Sequence, residues 1–321
     1  MDVPETWVPG GHVLRGPRIW PEIRASIAEL IADLEAAGPE GLDGMRRRFR
    51  DLGQTDSATA VTQLLDARFE LLVASHLARA GALQRIRADT PDFDCHWNGS
   101  DLGVEATTRA REEIASALER AMEQGQWGDA DVHVTLTRTG KLLFSEPPEV
   151  IAQISERVTA QITEAIAGLG NGQLKRGNIP IPEFGLSAMW TAGLGIGFPG
   201  VRVAYDSALT FTEEEWEHHW KMAALQVKDT VEGKGKKKYE SPSIAVVDIS
   251  RLGETSRLLG ADGIARYQQI LDDCNLGNLR GVQLVRTTLT SRAIEPLCAR
   301  IDGPVELAGL AAQLTVNLYG G

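Results

Sequence analysis

At 321 residues, with 43% hydrophobic and 24% charged residues, the chain has ordinary globular composition and enough length to bury a large core. No apolar run approaches the roughly 18 residues that a membrane helix needs, and the start lacks the basic-then-apolar order of a secretory signal, so a cytoplasmic protein with no membrane partner is expected. A net charge of −11 excludes a surface that holds nucleic acid everywhere by charge alone, and three cysteines at unrelated spacings (Cys95, Cys274, Cys298) exclude a disulfide framework or a CxxC zinc pattern.

In residues 19–37 the apolar positions Ile23, Ile27, Leu30, Ile31 and Leu34 share one helix face, and Gly38-Pro39 ends the run. A basic stretch, MRRRFR from Met45 to Arg50, follows; taken alone, such a run reads as a solvated helix face. The segment 57–79 predicts a second helix, with Val61, Leu64, Leu65, Phe69, Leu72, Val73 and Leu77 on a broad apolar stripe. Glu70 lies on the margin of that stripe, where it can face either solvent or a polar pocket.

Three short runs come next, LQRIRA, PDFDCHW and LGVEATT, separated by turn chemistry, and they predict successive antiparallel strands. A helix (REEIASALERAMEQG), a strand (DVHVTLTR) and a strong helix (PPEVIAQISERVTAQITEAIAGL) follow. The Gly- and Pro-dense stretch 168–199 reads as loop and short strand, and VRVAYDS as a further strand. The run from Thr212 to Tyr239 predicts a helix of several turns, with acids in its first turn and the lysines of KGKKKY at its end, as the helix dipole favours. SIAVVDIS is nearly continuous in apolar residues, the pattern of a strand covered on both faces. A helix (ADGIARYQQILDD) and a strand (GVQLVRTTL) complete the assignable part; the C-terminal residues beyond them carry no clear pattern.

The predicted hairpin holds two acids, Asp92 and Glu105, on neighbouring strands, with Asn98, Gly99 and Ser100 as the turn between them. A buried carboxylate is costly unless it is paired, hydrogen-bonded or bound to a metal, so something must compensate these two. Either the pair forms a cation site, or Asp92 is a turn residue and Glu105 a salt-bridged acid on an edge strand.

A glutamate-bearing helix, a hairpin with Pro91-Asp92 and then an acid on the next strand, and later a basic helix before a buried strand: this order resembles the PD-(D/E)XK nuclease superfamily. The resemblance covers about residues 57–109 and 213–250. It implies an α/β, restriction-endonuclease-like mixed sheet flanked by helices, with a long insertion between the third core strand and the second core helix. On that division residues 1–56 form an N-terminal helical segment, and 57–321 form the nuclease-like domain, with the insertion at about 110–212.

By the same resemblance Asp92 matches the metal-binding aspartate, Glu105 the second acid, and Glu70 the first-helix glutamate. Mg²⁺ or Mn²⁺ is the implied cofactor, and cleavage of DNA phosphodiesters, in defence against foreign DNA, the implied activity. RNA stays open as a substrate, and a homodimer as an assembly. The family's lysine two residues beyond the second acid falls here on Thr107, which carries no charge. Lys234 and Lys238, four apart on the expected helix, are the substitutes for it. Asp94, on Asp92's strand face, is a second candidate ligand. The competing expectation is a nuclease-like domain that has lost cleavage and binds nucleic acid or a protein.

Overall fold

The computed structural model describes residues 3–16, 19–52, 58–110, 114–123, 125, 127–138, 148–195, 200–205, 213–252 and 260–315. The chain is α/β and forms two compact units. The first takes residues 1–55, 60–111 and 220–321; the second takes 56–59 and 112–219. The N-terminal residues, expected as a segment apart, thus belong to the first unit.

A six-stranded mixed sheet forms the first unit's centre. In spatial order its strands are β1 (Leu83–Ile86), β2 (Phe93–Trp97), β3 (Ser100–Ala110), β8 (Ser243–Arg251), β9 (Gly281–Thr287) and β10 (Ile294–Ile301). The first three run antiparallel, β8 and β9 continue parallel to β3, and β10 is antiparallel to β9. Helices α1 (Pro21–Ala37), α2 (Leu42–Arg50) and α3 (Ala58–Arg79) share one hydrophobic core with Val104 and Ala106 of β3 and Ile244 and Val246 of β8. The predicted face of α1 is buried, and Gly38 caps the helix in the left-handed conformation, its N–H donating to Leu34 O at 2.9 Å.

Helix α3 departs from a simple stripe: every residue from Leu71 to Leu77 is buried. Its polar residues take partners from neighbouring segments, although Arg68 Nε is left without one among the described residues. Arg68 donates to Ser26 Oγ and Ser291 O, Ser75 to Asp33, and His76 Nε2 lies 2.7 Å from Arg292 O. β8 is buried from Ser243 to Ile249, as its unbroken apolar run implies. The unassigned C-terminal part contributes β10 and a short helix, α8 (Val305–Leu314); α7 (Ala261–Asp273) precedes β9.

The second unit holds a four-stranded sheet in the order β5 (Leu174–Ile181), β6 (Leu186–Leu194), β4 (Ala130–Arg138), β7 (Gly200–Tyr205). Its core is shared with α4 (Ile114–Glu123) and α5 (Pro148–Ile166). The stretch expected as loop and short strand holds a regular hairpin, β5 with β6. Its punctuating residues have strand reasons: Pro180 sits on an edge strand, where a missing N–H is tolerated, and Gly177 makes room for Trp190, whose ring would lie 2.7 Å from a Cβ there. Helix α6 (Glu213–Gly235) starts in the second unit and runs into the first from Trp220. Among the described residues, no helix is long and apolar enough to cross a membrane.

Candidate functional site

The β2–β3 hairpin is set by its turn. Asn98 (φ 49°) and Gly99 (φ 83°) both take positive φ, the requirement of the tight turn whose twist matches antiparallel strands. Trp97 pairs with Ser100, and the ladder runs back to Phe93 opposite Val104. One step further, the same register puts Asp92 opposite Glu105. There β2 ends, and the Asp92 carboxylate takes over from the ladder: its Oδ2 accepts the Ala106 N–H at 2.8 Å.

Side chains alternate along β3, so Glu105 points away from the core that Val104 and Ala106 enter. It is 0% exposed, yet it meets the end of α6. Its Oε1 accepts from Lys234 Nζ at 2.6 Å and from Lys237 Nζ at 2.5 Å. Its Oε2 is buried without a hydrogen-bond partner among the described residues. A fully buried carboxylate thus spends one oxygen on two ammoniums and leaves the other bare.

The lysines are held by the way α6 stops. Gly235 ends the helix against the turn at 275–278, where a Cβ on it would stand 2.4 Å from Leu276 O. Asn278 N–H donates to Gly235 O, and Asn278 Nδ2 to Lys237 O, both at 2.8 Å. Tyr239 Oη donates to Lys234 O at 3.0 Å. Lys238 is thereby corrected: it lies past the helix end, does not share a face with Lys234, and is exposed without an ion pair among the described residues. Lys237, in the turn, takes its place. The signal was present, since a glycine after a helical run is a stop, and Gly235 moves the following lysines off the helix.

Burial raises the Asp92 carboxyl to about 7, helped by the charges of Glu105 and Glu70 and opposed by the Ala106 hydrogen bond and Lys234. Burial also raises Glu70, against the pull of Arg48 and Lys234. Lys237 is raised: burial works against its charge, but the hydrogen bond and charge of Glu105 outweigh it. Burial and the two acids push the Tyr239 phenol up, keeping it neutral. The three acids therefore sense one another, although Glu70 is differently engaged. Its ion-pair partner is Arg48, at 3.6 Å, and both line a cavity of about 240 Å³ with Met45, Phe49 and Asp66. Asp94 pairs with Arg87 at 3.5 Å, in a surface group with Asp89 and Glu240.

The oxygen donors at this place are of the type that a hard divalent cation takes. Asp92 and Glu105 supply carboxylate oxygens, one of them buried and bare, and Mg²⁺ takes one or two carboxylates with water or phosphate completing its shell. No group of three or more His, Cys, Asp or Glu side chains forms a ready cage among the described residues. Thr107, two residues beyond Glu105, pairs in the ladder with Val247. The cationic group near the acids is supplied by α6 and its turn.

Comparison with known proteins yields no match to a family model, to a curated protein or to a solved structure.

Proposed function

We propose that the protein is a divalent-metal-dependent phosphodiesterase acting on DNA, with a PD-(D/E)XK-type centre built from Asp92, Glu105 and Lys234. The observation that carries this reading is the buried Glu105 with one bare oxygen, opposite a second acid raised to about 7 and beside a lysine ammonium. Such a pair is expensive in a sheet; two lysines meet one oxygen of Glu105, and a metal ion would meet the bare one.

In this reading Asp92 and Glu105 hold Mg²⁺ or Mn²⁺, with Glu70 reaching it from α3 at most through water while Arg48 engages it. The ion, when bound, supplies stabilisation of charge on the phosphate and a more acidic water. Lys234, on a helix end pinned by Tyr239 and Asn278, keeps an ammonium beside the acids and orients the attacking water or a phosphate oxygen. Local basic groups supply backbone contact despite the net charge of −11: Arg47 and Arg48 on α2, and the exposed Lys236 and Lys238 beyond α6.

The test is cleavage of DNA with Mg²⁺ or Mn²⁺ by wild type beside Asp92→Ala and Glu105→Ala. Loss in both variants supports the reading; equal residual cleavage in all three places the activity elsewhere and ends it. Thr107 keeps the second reading alive, a domain that binds nucleic acid without cutting it. DNA binding by wild type with no cleavage under either metal would favour that one.

A further inference from the structure

Glu105 is an unusual ligand because its accessible electrostatic role is already filled. Two ammoniums sit on the same oxygen, at 2.5 and 2.6 Å, in a place where the carboxylate itself is wholly buried. Glu105 by itself faces two ammoniums, so positive charge is already in excess at this one carboxylate. A divalent ion on the bare oxygen of this wholly buried carboxylate would stand close to both ammoniums, and like charges repel strongly at such range.

Release of one ammonium relieves that repulsion, and the two lysines differ in their freedom to leave. Lys234 belongs to the last turn of α6, with a side chain 17% exposed. Lys237 lies past the helix, with a side chain 42% exposed. The backbone of its turn is tied by Lys237 N–H to Lys234 O (3.0 Å) and by Asn278 Nδ2 to Lys237 O. Withdrawal of the Lys237 ammonium thus needs only side-chain rotation into solvent, which regains rotamer entropy and breaks no backbone bond.

We propose that Lys237 is a resident stand-in for the divalent ion: it neutralises Glu105 while the site is without metal and swings out when the ion enters, so that metal binding is an exchange of cations. This rests on the reading of Asp92 and Glu105 as the metal-holding acids. Lys237 is on this account a positioning residue that keeps the hairpin and the α6 turn in register, ready for metal, and Lys234 is the ammonium that stays.

The experiment is direct Mn²⁺ titration, followed by electron paramagnetic resonance at fixed pH and salt, of wild type, Lys237→Met, Lys234→Met and Asp92→Asn. Wild type should bind Mn²⁺ in a manner lost with Asp92→Asn. Lys237→Met should bind it about five- to tenfold tighter, the low end of ordinary coupling between two sites. Since a variant can disturb the turn, a second measurement uses wild type alone. The side-chain ammonium resonance of Lys237, protected by its bond to Glu105, should lose that protection on Mg²⁺ addition while that of Lys234 persists. Unchanged or weaker Mn²⁺ affinity in Lys237→Met, or a Lys237 resonance indifferent to Mg²⁺, overturns the exchange while Asp92-dependent binding leaves the metal site standing. Wild-type binding that Asp92→Asn does not reduce, or no binding at all, overturns both.

Discussion

The two sheets of this protein handle charge in opposite ways. The second unit is strongly acidic, with 7 Lys and Arg against 17 Asp and Glu, a net of −10, yet among the described residues its buried polar side chains are Ser155 and Ser187 alone. The first unit is nearly neutral, 26 against 27, a net of −1, and it buries Arg68, Glu105, Asp248 and His76. A sheet with helices packed on it does not need charges inside, as the second unit demonstrates. Charges placed inside the first are there at a cost in stability, and the metal reading proposed above gives that cost a use at Glu105. On the nucleic-acid reading proposed above, contact with a polyanion falls to the first unit, because a unit at −10 repels phosphate.

The largest effect that can break the comparison is on cleavage. Asp92→Asn or Glu105→Gln should lower metal-dependent cleavage by about a thousandfold, roughly 4 kcal/mol of barrier. Asp131→Asn, which removes the half-buried acid paired with Arg202 in the second unit, should leave the rate within about twofold, since it lies on β4 and not on the β2–β3 hairpin. If both kinds of change act alike in a steady-state assay, the division of labour between the units is wrong. The next effect concerns stability alone. Ile162→Ala, fully buried in the second core, should cost about 2–5 kcal/mol by denaturant unfolding, the price of a cavity in an apolar interior.

What the sequence makes legible follows the same line. The Asn98-Gly99-Ser100 turn and its flanks predict a hairpin carrying Asp92 and Glu105 but not its register: Ser100 is the first residue of β3, opposite Trp97, and that shorter, two-residue turn is what brings Asp92 opposite Glu105. The unbroken apolar run of β8 and the amphipathic face of α1 are equally plain. Where local chemistry serves distant packing, legibility ends. Gly177 and Pro180 look like loop residues until Trp190 and the sheet edge explain them. At the end of α6 the glycine is legible as a stop, but which lysine then meets Glu105 is not: the missing side chain of Gly235 lets the helix end close on Leu276, and that tertiary approach places the turn that carries Lys237. The pairing of Glu70 with Arg48 is tertiary, and no spacing announces it.

A third prediction sharpens the contrast by asking whether the buried charges of the first unit hold it together. Lys234→Met takes one of two counter-ions from a carboxylate that cannot reach water, and should destabilise by about 1–3 kcal/mol. Combined with Glu105→Leu, the same change should return stability to the wild-type level or above it, as apolar replacement of a buried ion pair commonly does. Thermal or denaturant unfolding of the single and double variants decides it. A double variant much weaker than the single would mean that the ion pair is structural, and the first sheet would then differ from the second in architecture, not in purpose.

The smallest effect is the dependence of stability on pH, and its sign is distinctive. Asp92 titrates at about 7 in the fold, against an ordinary value of 3.8. Between those values the folded state holds more protons than the unfolded chain, so this group favours the fold more as pH falls from about 8 to about 5 and less as it rises. Burial raises Glu70 and gives it the same sign. His12 and His76 oppose both: burial lowers them, so they cost stability as pH drops below 6.5 and protons are forced on them. The histidines are common to wild type and Asp92→Asn, so the difference between the two proteins isolates the aspartate. Wild type should gain on the variant as pH falls through 7, and saturating Mn²⁺ should cancel the gain, because a carboxylate that holds a cation no longer takes the proton. A difference that is flat with pH, or steeper with Mn²⁺ than without, would mean that Asp92 does not sit among uncompensated acids, and the first sheet would then carry its charge as harmlessly as the second.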